Sequence, residues 1–309
     1  MKKTGNSPKA AQVIEELRPG QSIELLKELH ILTREGKLNQ DTRRKLKQVY
    51  HLYQFIEPLL DEVSAVSAGG NGFALADHGA GKSYLGFILY DLFFNVAHRG
   101  EKASGHIYGI ETRAELVEKS RALALRLGFA DMSFLNLSVQ QATLSTELPP
   151  TVDIVTALHA CDTATDDAIA FGLAKNARHM VLVPCCQAEV AGVLKKSRAL
   201  NLAKTPLAEL WRHPLHTREF GSQITNVLRC LQLEASGYNV TVTELVGWEH
   251  SMKNELILAS QPALPNAANA GKTRAAQTRL REVLAELGLG DLARRFVVAS
   301  GRIQPENQV

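Results

Sequence analysis

Three residues that suit ligand binding stand at alternate positions in Asp77-x-Gly79-x-Gly81, between a short apolar run and a helical pattern. Glycines permit a tight turn and let a ligand approach the backbone closely. The carboxylate of Asp77 suits a cationic or amine-bearing ligand better than a diphosphate. The segment therefore predicts a binding loop at the junction of a first strand and a helix.

The same stretch contains Gly-Lys-Ser at 81–83, the ending of a phosphate-binding loop. A Walker A loop has its first glycine five positions before the second, where this chain has Ala76. Asp77 would repel the phosphates that such a loop wraps. A dinucleotide fingerprint places a third glycine at position 84, where this chain has Tyr84. Both phosphate-binding interpretations are therefore disfavoured.

A second carboxylate ends the next predicted strand, since IYGIE finishes at Glu111. A carboxylate at the tip of the second strand can accept both ribose hydroxyls of a nucleoside. The alternative is that Glu111 is only an acid that precedes the helix TRAELVEK. Together with the glycine loop, Glu111 indicates a nucleoside-containing ligand.

Asp77-x-Gly79-x-Gly81 with Glu111 resembles motif I and the second-strand acid of class I S-adenosylmethionine-dependent methyltransferases. Longer strings are similar to one family, which includes a eukaryotic tRNA ribose 2'-O-methyltransferase and uncharacterised bacterial proteins. These strings are GAGKSYLGFILYD, IYGIETRAELVEKS, ALHACDTATDDAI, LVPCC and EHSMKNELIL. The resemblance covers roughly residues 43–260 and implies S-adenosyl-L-methionine as the cofactor.

The resemblance also implies roles for individual residues. Asp77 would lie near the methionine amine, the glycines near the carboxylate and ribose, and Glu111 on the ribose diol. The third strand, SFLNLSV, lacks the acid that often binds the adenine amino group, so Asn136, Ser138 or the backbone would serve. The predicted cofactor-binding residues are Asp77, Gly79, Gly81, Glu111, Asn136, Ser138 and Leu158.

Three later segments should reach the same sheet edge, because ligands of open α/β sheets bind beyond the carboxyl ends of the strands. The fourth strand delivers LHACD, the fifth VPCCQ, and the loop between the last two strands WEHSMKN. The residues there that could act on a methyl acceptor are His159, Cys161, Asp162, Cys185, Cys186 and His250.

The acceptor decides which of these residues would be catalytic. A hydroxyl acceptor would benefit from a general base such as His159, Asp162 or His250. A pyrimidine carbon would first need a thiolate to add to the ring, and Cys161 and Cys185 end neighbouring strands. A metal held by both cysteines and His250 is a third alternative, and we predict no metal.

Structural interpretations compete with these chemical ones. Thr163-Ala-Thr-Asp166 fits a capping box with Asp in place of Glu, and Asp167 suits the positive end of a helix dipole. Cys186 and Cys230 suit a hydrophobic core, where free cysteine is common. His159 could be a core histidine with its hydrogen bonds satisfied.

Short apolar strands alternate with helical patterns, which predicts an α/β fold. We expect a Rossmann-like, seven-stranded, mostly parallel sheet with an antiparallel edge strand, an N-terminal helical region and a C-terminal helix. The last two strands, which lack an intervening helix, should pair at an edge. The predicted strands are Phe73–Ala76, His106–Glu111, Ser133–Leu137, Asp153–Leu158, His179–Val183, Asn239–Leu245 and Glu255–Ala259.

Three regions are predicted along the chain. Residues 1–66 form a helical region and a possible substrate arm, with helices from about Ala10 to Val63 and a helix start at Ser22. Residues 67–260 form the methyltransferase domain, in which Gly128 ends a helix. Residues 261–309 form a linker, up to Gly271, and a final amphipathic helix.

Composition limits the partners. The 309 residues carry a net charge of +3 and four cysteines without a Cys-x-x-Cys motif. Neither a signal-peptide core nor a membrane-spanning run follows from the pattern, which predicts a cytoplasmic protein without a membrane partner. Basic residues cluster at 27–47, at 195–218 and in the last helix, which favours an RNA substrate, tRNA or rRNA. The alternatives are a small-molecule or protein acceptor, or a non-catalytic cofactor- or RNA-binding module. The oligomeric state does not follow from the sequence.

Overall fold

A computed structural model of the chain describes residues 16–67, 72–98, 104–158, 160, 162–184, 187–197, 204–245, 255–263 and 267–297. Its sheet has seven strands: β1 (Phe73–His78), β2 (Gly105–Glu111), β3 (Met132–Asn136), β4 (Ile154–Leu158), β5 (His179–Val183), β6 (Asn239–Glu244) and β7 (Glu255–Ser260). Their order is β3-β2-β1-β4-β5-β7-β6. Strands β1 to β5 are parallel, and β7 is antiparallel to both β5 and β6. The predicted fold class and the antiparallel pair at one edge are confirmed.

Helices connect most of the strands. They are α1 (Ile23–Glu28), α2 (Gln40–Ser67), α3 (Tyr84–Tyr90), α4 (Ala114–Leu127), α5 (Val139–Leu144), α6 (Thr163–Ala174), α7 (Glu189–Ser197), α8 (Pro214–Ala235), α9 (Ala267–Glu286) and α10 (Ala293–Phe296). A π-helical stretch, Asp91–Ala97, continues α3, and a 3-10 turn, Pro206–Trp211, precedes α8. Gly128 ends α4 in the left-handed conformation, as predicted, because glycine adopts a positive φ without steric cost.

Apolar layers on both faces of the sheet explain why the parallel strands are almost wholly apolar. One layer packs α1 to α4 against the sheet, and the opposite layer contains side chains from α5, α6 and α8. A third cluster joins α7, α8 and α9 and includes the buried Phe296 of α10. All six residues of β1 are buried, so only its carboxyl end can meet a ligand.

The N-terminal prediction is correct in part. Ser22 caps α1 by accepting a hydrogen bond from the Leu25 amide, which confirms the predicted helix start. The prediction of helices from about Ala10 to Val63 is wrong between residues 29 and 39, because α1 ends at Glu28 and the next helix begins at Gln40. His30 has a φ of 55° and Gly36 a φ of 77°, and these left-handed residues turn the chain between the two helices.

The C-terminal region also differs in detail from the prediction. The helix α9 begins at Ala267, inside the segment predicted as linker. It ends at Glu286, before Gly288, whose φ is 64°, and α10 follows separately. The prediction of a single final helix is therefore wrong, because a left-handed glycine ends α9 within the amphipathic pattern. Within the described ranges, none of the helices has the length and hydropathy that crossing a bilayer requires.

Candidate functional site

The loop between β1 and α3 has an unusual backbone. Gly79, Gly81 and Ser83 have φ values of 65°, 59° and 50°. A Cβ atom at Gly79 would have Ala160 Cβ, 3.9 Å away, as its nearest contact. At Gly81 the nearest atom would be Arg113 Nη2, at 3.7 Å. The two glycines therefore expose backbone on an open side of the loop, where a ligand can approach it.

Ser83 distinguishes this loop from a phosphate-binding loop. The Ser83 side chain is fully buried, and its hydroxyl has no hydrogen-bond partner among the described residues. A Cβ atom at Gly86 would lie 2.7 Å from this hydroxyl, and one at Gly109 would lie 3.2 Å from it. In a phosphate-binding loop the corresponding hydroxyl faces the metal–phosphate group. The buried hydroxyl therefore argues against a nucleoside triphosphate site.

Glu111 ends β2 directly beside this loop. Its Oε2 accepts hydrogen bonds from the Gly81 amide at 2.8 Å and from Arg113 Nη2 at 3.1 Å. Its Oε1 accepts from the Arg113 amide, from Arg113 Nε and from the Thr112 hydroxyl, at 3.0, 3.1 and 3.2 Å. Burial raises the pKa of Glu111, but the hydrogen bonds from Arg113 and Gly81 outweigh this effect and hold the pKa at about 2. The carboxylate is therefore ionised at neutral pH.

Asp77, one residue before the end of β1, has a different environment. Its side chain is 2 % exposed, and its Oδ1 accepts a 2.9 Å hydrogen bond from the Thr156 hydroxyl of β4. The Gly86 amide of α3 also donates to this carboxyl group. Burial raises the pKa of Asp77 to about 7, although both hydrogen bonds act against the rise. The carboxyl group thus links β1 to β4 and α3.

The predicted adenine-side residues lie at the neighbouring strand end. Asn136 is paired in register with Glu111, and its Nδ2 donates to the carbonyls of Glu111 and Thr112 at 3.0 and 2.8 Å. Ser138 caps α5 and forms a complete capping box with Gln141. The polar groups of Asn136 and Ser138 therefore hold the backbone around the end of β3.

Leu158 ends β4, next to Val183 of β5 in register, and is half-buried against the apolar layer of α1 to α4. This position is at the same sheet edge as Asp77, because β1 and β4 pair directly. The seven predicted cofactor residues thus all lie at or just beyond the carboxyl ends of β1 to β4.

Sequence reasoning missed two residues at this edge. Arg113 donates hydrogen bonds to both oxygens of the Glu111 carboxylate. Its position, two residues after an acid at a strand end, could have indicated this pair. His78 is 6 % exposed, its ring lies 5.6 Å from that of Phe171, and neither ring nitrogen has a partner among the described residues. Burial lowers the pKa of His78 to about 4, so the ring is neutral at physiological pH.

Most of the predicted catalytic residues lie outside the described residues. They are His159, Cys161, Cys185 and His250, together with the alternative Cys186. Asp162 is described and half-buried, and its Oδ1 accepts hydrogen bonds from the amides of Ala188 and Glu189 at 3.1 and 3.4 Å. Where the structure gives side-chain positions, no cluster of His, Cys, Asp and Glu could hold a metal ion.

The predicted capping box at Thr163 is wrong. Asp162 rather than Thr163 precedes the first turn of α6, and its side chain does not cap that helix. Asp166 is buried and forms a two-point ion pair with Arg229, through Nε at 2.7 Å and Nη2 at 3.1 Å. Cys230 is half-buried against the apolar layer that contains α6, and burial raises the pKa of its thiol to about 12.

Comparison with known proteins adds a family match. Residues 44–193, nearly half of the chain, match the model of a family described as a methyltransferase domain. No curated protein matches the sequence.

Several solved structures are similar at low sequence identity. Magnesium protoporphyrin IX methyltransferase from Synechocystis PCC 6803, with bound SAH, is 14 % identical with a TM-score of 0.42, over 77 % of this chain and 93 % of that one. An rRNA methylase from Streptococcus thermophilus is 10 % identical with a TM-score of 0.38, over 66 % and 92 %. An SAH-bound methyltransferase from Podospora anserina is 8 % identical with a TM-score of 0.43, over 80 % and 92 %.

The family match carries more weight than these distant structural likenesses, and it covers β1 to β5 with the glycine loop and Glu111. Residues 44–193 are therefore similar to a methyltransferase domain, and the prediction of an enzyme is confirmed.

Proposed function

We propose that this chain transfers the methyl group of S-adenosylmethionine to RNA, with the cofactor at the carboxyl ends of β1 to β4. The observation that carries the cofactor site is the ionised Glu111 carboxylate beside the open backbone of Gly79 and Gly81. An ionised carboxylate only accepts hydrogen bonds, so it suits two adjacent hydroxyl donors such as a ribose diol. The Gly81 amide fixes one carboxylate oxygen from the loop.

The residues present fit such a cofactor. S-adenosylmethionine supplies an electrophilic methyl group on a sulfonium when it is bound. In this proposal Glu111 accepts from the ribose hydroxyls, Gly79 and Gly81 admit the ligand to the backbone, and Leu158 borders the site from β4. Asp77 supports the loop from beneath, because its carboxyl group is buried against Thr156 and Gly86.

Asn136 and Ser138 would border the adenine through the backbone that they hold in place. Asn136 Nδ2 already donates to the carbonyls of Glu111 and Thr112, and Ser138 already pairs with Gln141. The adenine amino group is a donor, so its acceptor would be a backbone carbonyl at this junction or Asn136 Oδ1. Adenine specificity would then depend on the shape of the β3–α5 junction.

The RNA part of the proposal rests on exposed charge. Basic side chains are exposed in the loop before α2 and in its first two turns: Arg34, Lys37, Arg43, Arg44, Lys45 and Lys47. Arg43 pairs with Glu16 at 2.9 Å, and a phosphate can replace such an exposed ion pair at small cost. The resemblance to the family that includes a tRNA ribose methyltransferase supports the same substrate class.

Some basic side chains of the other two segments are paired with carboxylates. Arg212 pairs with Glu209 at 3.2 Å, Arg218 with Glu219 at 3.2 Å, and Arg279 with Glu234 at 2.9 Å. Other basic side chains of these segments are exposed as well: Lys195, Lys196, Lys204, Arg274 and Arg281. We assign RNA phosphates to the start of α2 because six exposed basic side chains lie within 14 residues there.

Nucleoside mass spectrometry tests this function. RNA from cells that lack the protein is incubated with the purified protein and labelled S-adenosylmethionine, and the labelled nucleoside is identified. We expect label in one RNA nucleoside. Cofactor binding without any label in RNA would overturn the RNA acceptor, and absence of cofactor binding would overturn the whole proposal.

Filter binding of bulk tRNA across a salt series tests the assigned surface separately. Each phosphate contact that is lost should reduce the slope of log K against log salt by roughly 0.7 to 0.9. The double variant Lys45→Glu/Lys47→Glu should therefore show a shallower slope than the wild type. Lys119→Glu, an exposed lysine on α4, is the matched control and should leave the slope unchanged.

A further inference from the structure

We propose that Arg229 is a positioning residue that holds together the described residues at the ends of three loops. This inference rests on the proposed function. The three loops follow β4, follow β5 and precede β7, and sequence reasoning placed the candidate acceptor-side residues in them. The juxtaposition that carries the inference is one buried guanidinium whose hydrogen bonds, direct or through Asn226, reach a residue next to each loop.

Arg229 lies on α8 and its side chain is 0 % exposed. Besides its two-point ion pair with Asp166, its Nη2 donates to the carbonyl of Asp162 at 2.7 Å. Asp162 has a φ of 51° and a ψ of −120°, a conformation that non-glycine residues rarely adopt. Such a conformation persists when the surroundings impose it, and this hydrogen bond is one of the contacts that do so. Asp162 directly follows Cys161 in the chain.

The side chain of Asp162 extends the contact to the second loop. Its Oδ1 accepts from the amides of Ala188 and Glu189, where α7 begins after β5. These two amides belong to the unpaired donors of a helix start, which a carboxylate satisfies well. In this arrangement Asp162 joins two loops rather than serving as a free general base.

Asn226, one turn before Arg229 on α8, completes the network. Its Oδ1 accepts from Arg229 Nη1 at 3.1 Å and from Gln187 Nε2 at 3.0 Å. Its Nδ2 donates to Glu255 Oε2 at 2.6 Å, at the first residue of β7. Gln187 is buried and also accepts from the Ser222 hydroxyl of α8. Gln187 directly follows Cys186, and Glu255 directly follows the loop that contains His250.

Stability alone explains this arrangement poorly. Burying a guanidinium costs several kcal/mol, and apolar side chains of similar volume often give an equal or greater stability. The network, however, fixes the ends of three segments that are far apart in sequence. Methyl transfer requires the acceptor to be held in line, and a displacement of about 1 Å can cost about 100-fold in rate. The buried polar network therefore serves to position these three segments rather than to stabilise the fold.

The test compares two ways of removing the network. Arg229→Met/Asp166→Leu removes both charges, so that no unpaired charge remains buried in that pair. Arg229→Lys keeps a positive charge beside Asp166 but lacks the planar fork that reaches several acceptors at once. Arg279→Met/Glu234→Leu removes a more exposed ion pair, between α9 and α8, and is the matched control.

Three measurements are made on each full-length variant. They are the Kd for S-adenosylhomocysteine by calorimetry, kcat and KM for transfer to RNA from cells lacking the protein, and amide exchange at Ala188 and Glu189. We expect both Arg229 variants to lose about 100-fold in kcat with the Kd unchanged within twofold, and to exchange faster at these amides. The control should match the wild type in all three.

An unchanged kcat in a folded Arg229 variant would overturn the inference, and so would parallel losses of kcat and of cofactor binding. If the wild type binds S-adenosylhomocysteine but labels no RNA, the proposed acceptor fails and the network is judged by exchange alone. Faster exchange at Ala188 and Glu189 in both Arg229 variants would then support it, and unchanged exchange would overturn it.

Discussion

Two carboxyl groups lie at the carboxyl ends of neighbouring strands, yet their pKa values are shifted in opposite directions. Asp77 on β1 has a pKa raised to about 7, while Glu111 on β2 has a pKa of about 2. Both side chains are largely buried, at 2 % and 7 % exposed. Asp77 nevertheless lies deeper in the protein than Glu111, so the difference in pKa comes both from this depth and from the number and charge of the hydrogen-bond donors.

The donors around the two groups differ in kind. Asp77 receives hydrogen bonds from two neutral groups, the Thr156 hydroxyl and the Gly86 amide. Glu111 accepts hydrogen bonds from two backbone amides, from a hydroxyl and from the guanidinium of Arg113. A cation and several donors favour the ionised form strongly. This difference agrees with the proposal that Asp77 supports the fold and that Glu111 binds the cofactor.

The largest expected effect concerns Asp77 and pH. Because the folded-state pKa is raised, its stabilising contribution is full below about pH 4 and is lost as the pH rises to about 7. The shift from 3.8 to about 7 corresponds to about 4 kcal/mol of unfolding free energy. Asp77→Asn should remove this dependence, so its stability relative to the wild type should rise between pH 4 and pH 8.

Urea unfolding at several pH values measures this effect, with the exposed Asp291→Asn as the control. Calorimetry with S-adenosylhomocysteine then sharpens the comparison. A supporting role for Asp77 predicts an unchanged Kd in Asp77→Asn, whereas a large loss of affinity would restore the expectation that Asp77 contacts the methionine amine.

The next effect concerns Glu111. Glu111→Gln removes the negative charge, and each charge-assisted hydrogen bond to a ribose hydroxyl is worth about 1.5 to 3 kcal/mol. We expect the Kd for S-adenosylhomocysteine to rise about 100-fold, measured by calorimetry at pH 7. Because the pKa of Glu111 is lowered, its stabilising contribution is present above about pH 4.5 and is lost as the pH falls to about 2.

Glu115→Gln, an exposed acid on α4, is the matched control and should bind like the wild type. If Glu111→Gln also keeps wild-type affinity while it remains folded, the two strand-end carboxyl groups do not divide support and binding between them.

The positions of the two carboxyl groups could be predicted from the sequence, because they depend on patterns of neighbouring residues. Apolar runs that alternate with helical patterns were enough to place Asp77 and Glu111 at neighbouring strand ends, and β5 has the predicted bounds His179–Val183. The resemblance to methyltransferases supplied the cofactor. The first strand, predicted as Phe73–Ala76, extends to His78 in the structure, so Asp77 belongs to the strand rather than to the loop.

The sequence could not predict partners that are distant along the chain. Thr156 lies 79 residues from Asp77, and Arg229 lies 63 residues from Asp166. The capping box at Thr163 failed for the same reason, because Asp166 pairs with Arg229 instead of capping its own helix. The helical prediction for residues 10–63 failed around His30, because a left-handed turn interrupts an apolar periodicity that continues across it.

A smaller effect concerns the backbone beside Glu111. Gly81→Ala places a side chain at a φ of 59°, which costs about 1 kcal/mol of stability. Gly128→Ala places one at a φ of 72°, with no atom within 4 Å of the new Cβ, and should cost a similar amount. Only Gly81→Ala should weaken S-adenosylhomocysteine binding, by roughly tenfold, or about 1.4 kcal/mol. Equal binding by both variants would contradict a ligand beside Gly81.

The smallest effect concerns Arg113. Its guanidinium occupies acceptor positions on both oxygens of the Glu111 carboxylate, and its side chain is 62 % exposed. A ribose diol needs acceptor positions on both carboxylate oxygens, and Arg113 is the side chain that can leave at least cost, since exposed ion pairs are worth at most about 1 kcal/mol. Arg113→Met should therefore bind S-adenosylhomocysteine up to about fivefold more tightly than the wild type. Arg113→Lys, which offers a single ammonium group, should be intermediate.

Salt separates this competition from a direct contact between Arg113 and the cofactor. Raising the ionic strength screens the exposed ion pair between Arg113 and Glu111. The affinities of Arg113→Met and of the wild type for S-adenosylhomocysteine should therefore become equal as calorimetry is repeated at increasing salt. Weaker binding by Arg113→Met at every salt concentration would instead place the guanidinium on the cofactor. In that case Arg113 would stay on Glu111 while the ribose binds and would keep the carboxylate ionised and oriented. The ribose would then not have to displace Arg113.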